Sequence, residues 1–271
     1  WPKLKFYGAL MVVYIVLGGL WGWKAYRAGS DVLPLQLYVA AAFVILAAEM
    51  GVTFGYYVFY NGHGTYSITL LAFVAILNSL RSAASFFLLL IVSLGYGVVR
   101  PTLGPAMRKC QLAGIAHFLS GLLYVCGSFL LDSTSDISWV LALLFSLPIG
   151  ATMTFIYSWT LWGLQDTTAT LTHRRQHIKL RMYQRLKQIL LVAALLFVWA
   201  YVATAVRLTQ YQDRDWEAEH WEIIWWYPMG WSNALYLVVF CSICVLWRPT
   251  DNNRRYGLQE LASEDFGDDM D

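Results

Sequence analysis

The chain has 271 residues, is 58% hydrophobic and only 13% charged, where an average soluble domain carries about 25% charged residues. Its net charge is +2, and 13 Trp, 17 Tyr and 14 Phe bring the aromatic share to 16%. Apolar residues that fall in long blocks, rather than at the period of an amphipathic helix or strand, exclude a soluble domain and place the chain in a membrane.

A transmembrane helix needs roughly 20 mostly apolar residues. Seven such blocks follow one another, over 6–26, 35–60, 67–99, 111–131, 137–164, 188–208 and 225–247. The breaks between them carry Gly, Pro and charge, at 29–34, 61–64, 100–109, 132–136, 166–187 and 209–222. The sequence therefore predicts an all-α, seven-transmembrane helix bundle over residues 1–250 and an acidic, disordered tail over 251–271. No repeat and no separate soluble domain is visible.

Polar residues inside the blocks are costly and mark partners or water. In the second block stands Glu49, and in the third Arg81. At ~1.5 Å per residue Glu49 stands about 20 Å along its block from Gln36 and Arg81 about 22 Å along its own from Tyr66, so both fall near mid-membrane. Neighbouring antiparallel helices bring them together, so an ion pair is expected, with Asn78, three residues before Arg81, completing it. Two readings stand open. The pair fixes the register of the bundle, or it lines a water-filled or headgroup cavity in which Arg81 holds a phosphate and Glu49 an amine or a permeating cation. The fourth block holds His117, read as a neutral imidazole bonded to a backbone carbonyl or a Ser, or as a proton sensor. Pro148 in the fifth removes a backbone donor and predicts a kink. The loop before the seventh carries Asp213, Asp215, Glu217, Glu219 and Glu222 among tryptophans. It concentrates cations, or it is a solvated loop beside the interfacial aromatic belt. In the tail, Glu260, Glu264, Asp265, Asp268, Asp269 and Asp271 have few apolar neighbours, a composition that favours disorder and suits an acidic sorting signal for coat or adaptor proteins.

Basic residues set the orientation. One set of connections, including the whole run from Arg174 to Lys187, holds 14 of the 19 Lys and Arg; the other holds four, Lys3, Lys5, Arg207 and Arg214; Arg81 is intramembrane. The N-terminus is therefore expected to be luminal or extracellular and the C-terminus cytosolic. The chain opens at Trp1 without an initiator Met, so it is read as part of a longer protein. The six basic residues of the Arg174 to Lys187 run also suit anionic headgroups.

Several classes are excluded or unsupported. The third block ends Gly-Tyr-Gly-Val-Val-Arg-Pro rather than in Asp-Arg-Tyr, and the seventh lacks Asn-Pro-x-x-Tyr, against a rhodopsin-like receptor. No Lys lies in 225–247, so a retinal Schiff base has no amine. His173 and His177 stand four apart inside a basic run that repels a cation, and Cys241 and Cys244 have no partner ligands at their depth, so no metal site is predicted. Ser, His and Asp do not converge at one depth. No enzyme activity, cofactor, luminal disulfide or nucleic-acid partner is expected.

Residues 80–104, with Leu80-Arg81-Ser82 and Ser93-Leu94-Gly95-Tyr96-Gly97-Val98-Val99-Arg100-Pro101-Thr102-Leu103-Gly104, resemble the lung seven-transmembrane receptor family. The exit from the seventh block, Leu246-Trp247-Arg248-Pro249-Thr250-Asp251-Asn252-Asn253-Arg254-Arg255-Tyr256, is similar to the same family's juxtamembrane tail. The nearest branch is that of the yeast Ptm1-like Golgi transmembrane proteins. The resemblance implies a luminal β-sandwich upstream of the first span, residence in Golgi and endosomal membranes, and a part in vesicle-mediated trafficking, including endosome-to-Golgi retrieval. It also implies membrane lipids as partners, with a phospholipid in a lipid-accessible bundle cavity, and trafficking cargo and coat or adaptor proteins as further partners. Some relatives are proposed cation channels, so a channel or transporter using Glu49 and Arg81 is the alternative expectation, and a receptor coupled to cytosolic proteins the third.

Overall fold

The structure is a computed structural model of the chain, described here over residues 2–29, 32–132, 139–210 and 221–248. Its helices are α1 (Pro2–Ala28), α2 (Pro34–His63), α3 (Ile68–Ser93), α4 (Pro105–Asp132), α5 (Trp139–His173), α6 (His177–Gln210) and α7 (Trp231–Leu246). Before α7 come a single helical turn, Trp221–Ile224, and a π-helical turn, Trp226–Gly230. The described residues contain no strand, only an isolated bridge between Tyr96 and Arg100. The acidic-loop residues Asp213, Asp215, Glu217 and Glu219, and the tail 251–271, lie outside the described residues.

Helix starts follow local chemistry. Pro34 and Pro105 open α2 and α4, where a missing N–H costs nothing. The Gln36 side chain reaches back to accept from the Leu33 N–H at 3.1 Å. Ser67 caps α3 by accepting from the Leu70 N–H at 3.4 Å, as N-cap hydroxyls do.

Among the described residues six helices are long and apolar enough to cross a membrane, and α7 is a shorter apolar helix of 16 residues. Sixteen residues rise about 24 Å, less than the ~30 Å hydrocarbon core. The π turn supplies the remainder, so the block at 225–247 crosses as two helical types rather than one. Pro228 lies within that turn and has no N–H to give. The wider turn takes the Trp231 N–H back to the Trp226 carbonyl, and the Trp226 ring packs where a side chain at Gly230 would stand.

Other boundaries differ from the apolar blocks. The third block was expected to continue to 99, but α3 stops at Ser93. Gly95 (φ +82°) and Gly97 (φ +71°) adopt left-handed backbone, and the Gly95 carbonyl accepts from Val98, Val99 and Arg100. These bonds close a tight turn that a helix cannot contain. Conversely, the expected break at 166–187 is mostly helix. α5 runs on to His173, α6 begins at His177, and only a short turn with Arg175 at φ +56° separates them. Apolarity ends at the membrane there, while backbone hydrogen bonding continues past it.

Consecutive helices pack side by side from α1 to α6, α3 also touches α5, and α6 packs on α7. Phe43 of α2 meets Phe240 of α7 edge-on at 4.9 Å, which brings α7 against α2 as well. Of the most apolar stretch of each helix, 39% of residues are buried in α2 but only 6% in α5 and in α6. α2 is thus the most enclosed of these spans, while α5 and α6 turn nearly all of theirs outward. Close approach of α3 and α4 relies on small residues: a Cβ on Gly121 would stand 3.0 Å from Ser79 Oγ, and one on Gly114 3.5 Å from Phe87 Cβ.

Candidate functional site

Glu49 faces inward from α2 and is 3% exposed. Its Oε2 lies 3.2 Å from Nε of Arg81 on α3, so the two intramembrane charges of the sequence are brought together. Among the described residues no hydrogen bond reaches that oxygen: the contact is Coulombic, with the N–H not aligned on it. The arginine's hydrogen bonding goes elsewhere. Nη1 donates to Asn233 Oδ1 on α7 at 2.7 Å, and the guanidinium sits over the Tyr236 ring, 5.1 Å from its centroid. Ser85 Oγ donates to the Arg81 carbonyl at 2.6 Å. Its single hydrogen being used there, Tyr236 OH is the donor in the 2.6 Å contact with Ser85 Oγ. Asn233 Nδ2 in turn donates to the Met229 carbonyl at 2.9 Å. One cation thus joins α2, α3 and α7.

Asn78 does not complete this network. It is exposed on α3, and the place assigned to it is taken by Asn233. Three residues of helix turn through about 300°, which leaves Asn78 roughly 60° off the Arg81 direction, enough to move it out of the α2–α7 side. A neutral amide costs less inside a span than a charge and so stands out less than Glu49 and Arg81; the signal for Asn233 in the sequence is an Asn inside an apolar block.

His117 forms a second centre and is 2% exposed. Its Nε2 lies 2.9 Å from Ser82 Oγ on α3 and its Nδ1 3.0 Å from Thr152 Oγ1 on α5. Thr152 gives its own hydrogen to the Pro148 carbonyl at 3.0 Å, shared with that of Ile149 at 3.1 Å. It must then accept from Nδ1–H, which leaves Nε2 to accept from Ser82. This tautomer, assigned from the network, satisfies every partner with a neutral ring. Phe86 closes the site edge-on at 4.8 Å. The expected Ser partner is present, and Thr152 is the partner sequence reasoning missed. α5 continues as one helix through Pro148, and Ser146, Thr152 and Thr154 around it all return their hydroxyls to carbonyls four residues back, a habit that bends helices.

A third polar contact joins helix ends at the face bearing Arg100 and Arg174. Gln36, 2% exposed, donates from Nε2 to the Trp247 carbonyl at 3.3 Å, while its backbone carbonyl accepts from Trp21 Nε1 at 3.1 Å. The ends of α1, α2 and α7 are tied through one residue. On the same face Arg100 pairs with Asp166 at 2.9 Å, both side chains 47% exposed.

On the opposite face Glu222 is exposed, and its backbone carbonyl accepts from Trp225 Nε1 at 2.6 Å. Among the described residues no group of three or more His, Cys, Asp or Glu could hold a metal ion. Cys244 is buried, Cys241 half-buried, and both are free thiols.

Residues 2–254 match the sequence model of a family described as "GOST, seven transmembrane domain". The chain belongs to the GOST seven-transmembrane family. Membrane protein PTM1 of Saccharomyces cerevisiae is 31% identical over 254 residues, 93% of this chain and 48% of that protein. An uncharacterized protein of Schizosaccharomyces pombe is 30% identical over 268 residues, 98% of this chain and 52% of that protein. Human Transmembrane protein 87A is 29% identical over 281 residues, 100% of this chain and 47% of that protein. These matches agree with the family resemblance read from 80–104 and 246–256. The chain spans about half the length of the curated relatives it matches. Its GOST domain carries the three polar centres above, each spent on joining helices.

Proposed function

We propose that this GOST-family chain is the membrane bundle of a Golgi and endosomal multi-pass protein that acts in vesicle-mediated trafficking, including endosome-to-Golgi retrieval. The observation that carries this reading is the family match over 2–254, taken with the resemblance to the Ptm1-like Golgi branch. The geometry supports a bundle that works as a scaffold. Glu49, Arg81, His117 and Gln36 are engaged with one another's helices, and α5 and α6 turn Leu147, Phe155, Leu191, Leu195 and Trp199 outward. In this reading the N-terminus is luminal, the C-terminus cytosolic, and a phospholipid reaches the bundle from the side of α5 and α6, beside Pro148. Cargo engages on the luminal side, and coat or adaptor proteins read the acidic tail.

The test is gene deletion followed by tracking of a cargo that recycles from endosomes to the Golgi, with rescue by the parent protein and by one lacking 257–271. Cargo stalled in endosomes, restored by the parent, is expected, and the truncated protein should leave the Golgi. Normal retrieval in the deletion overturns the reading.

A second reading is favoured by one observation, the Glu49 oxygen that no hydrogen bond reaches within the spans. Here Glu49 takes a permeating cation as Arg81 turns to Asn233. Cation flux into liposomes holding only the purified protein, abolished by Glu49→Gln, supports it; absence of flux removes it.

A further inference from the structure

We infer that the acidic segment 256–271 docks on the basic hairpin formed by the end of α5 and the start of α6 of its own chain. The hairpin stands clear of the membrane. From Gln165 to His173, α5 continues nine residues past its apolar block, and α6 has eleven residues, His177 to Lys187, before its own begins. At ~1.5 Å per residue these extensions rise about 13 and 16 Å, whereas the headgroup layer is only about 6 Å deep on each side. The tip therefore lies beyond easy reach of lipid phosphates, and a soluble anion is the better counterpart.

Arg174, Arg175, Arg181 and Arg185 are exposed there. The described residues contain two ion pairs, Arg81–Glu49 and Arg100–Asp166, and none of these four arginines is in them. Arg181 and Arg185, one turn apart, occupy the side of α6 opposite the buried Tyr183, Leu186 and Leu190. The turn holding Arg174 and Arg175 is fixed by backbone bonds from Arg174 to Thr170, Arg175 to Thr172 and Gln176 to Leu171, of 3.0, 3.1 and 3.1 Å. The guanidinium groups are thus carried on a rigid support.

α7 delivers the tail to this place. Trp247 meets Tyr183 of α6 edge-on, ring centroids 5.9 Å apart, and the Gln36 bond holds its carbonyl. Because α6 and α7 are joined on the other side of the membrane, hairpin and tail share one side whichever way the bundle faces. Residues 256–271 hold Glu260, Glu264, Asp265, Asp268, Asp269 and Asp271 and no Lys or Arg. Glu260 and Asp265 follow Arg248 by 12 and 17 residues, and chains of those lengths have root-mean-square spans of about 19 and 23 Å by random-coil scaling; Tyr183 is about 9 Å along α6 from His177. The carboxylates reach the arginines without extension, at an effective concentration in the millimolar range. Docked, the segment is withheld from any soluble protein that reads it, and the hairpin acts as an internal competitor. This contact lies within one chain and stands independently of the trafficking reading.

The experiment uses the full-length protein in nanodiscs of phosphatidylcholine alone, with spin labels on Gln184→Cys and Ser263→Cys and with Cys126 and Cys241 changed to Ser. At about 0.01 M salt, where charges act over about 30 Å, a narrow distance distribution is expected. It should broaden to the spread of a flexible coil when the six carboxylates are changed to Asn and Gln, when the four arginines are changed to Glu, or at about 1 M salt. It should narrow again when the Glu-substituted hairpin is combined with Lys at the six acidic positions. Equal breadth for the native and the neutralised tail overturns the inference. So does a hairpin that binds only discs containing phosphatidylserine, which assigns the surface to lipid. Size-exclusion profile and Trp fluorescence confirm that each variant is folded.

Discussion

Arg81→Ala and Glu49→Gln remove opposite ends of the same contact, yet their costs should be unequal. Without Arg81, the Glu49 carboxylate, its side chain 4% exposed, is left in the bundle without a counter-charge, a loss of about 3–5 kcal/mol for a broken buried pair. Without the Glu49 charge, Arg81 keeps its 2.7 Å bond to Asn233 and the face of Tyr236, so about 1–2 kcal/mol is expected. The double variant carries no stranded charge and should be more stable than Arg81→Ala alone. On the scaling of soluble domains, roughly 2–4 °C per kcal/mol, Arg81→Ala should lower Tm by about 6–20 °C, and adding Glu49→Gln should recover several degrees. Thermal unfolding in detergent, followed by intrinsic Trp fluorescence, reads this directly. The reasoning fails if Glu49→Gln lowers the Tm of the Arg81→Ala protein further, because the carboxylate would then hold interactions other than its attraction to the arginine.

Four other outcomes follow from the same contacts. His117→Ala unlinks α3, α4 and α5 and leaves a small cavity; a loss of about 2–3 kcal/mol in the same unfolding assay is expected, against about 1 kcal/mol for Ser82→Ala, which removes one bond. Gln36→Leu gives up the bonds to Trp247 and Leu33 and should cost about 1–2 kcal/mol, with faster proteolysis after Trp247 as its local sign. Gly121→Val drives a side chain into Ser79 and should cost about 1–3 kcal/mol, whereas Gly22→Ala, with nothing within 4 Å of the added Cβ, should raise stability by about 0.5–1 kcal/mol. Deleting Met229 restores regular α-helix before α7 and should abolish the coupling between Arg81→Ala and Tyr236→Phe in a double-mutant cycle, because both partners on α7 are turned away.

Most of the helical architecture is written in the order of the apolar blocks, since satisfying every backbone group in lipid forces each block into a helix. What the blocks do not encode is where a helix stops once it leaves the hydrocarbon. α5 and α6 run on through Asp166–His173 and His177–Lys187 because water tolerates helix and coil alike. α3, by contrast, ends inside its block because Gly95 and Gly97 reward a turn more than apolarity rewards continuation. Those glycines were legible as punctuation, and hydropathy overrode them.

The Glu49–Arg81 contact was legible because two charges at equal depth on antiparallel neighbours have few other ways to be neutralised. Asn233 and Tyr236 were not, because their position depends on the π turn at Trp226–Gly230. One extra residue in a helical turn rotates everything after it by about 100°. On an unbroken α-helix, a face assignment for residues 231–246 would have pointed Asn233 and Tyr236 away from α3. The turn forms where Pro228 cannot donate and Gly230 leaves room for the Trp226 ring. The backbone irregularity in the seventh span is therefore what aims its polar side chains at the arginine, and the mid-membrane network depends on that Trp-Tyr-Pro-Met-Gly turn as much as on the charges themselves.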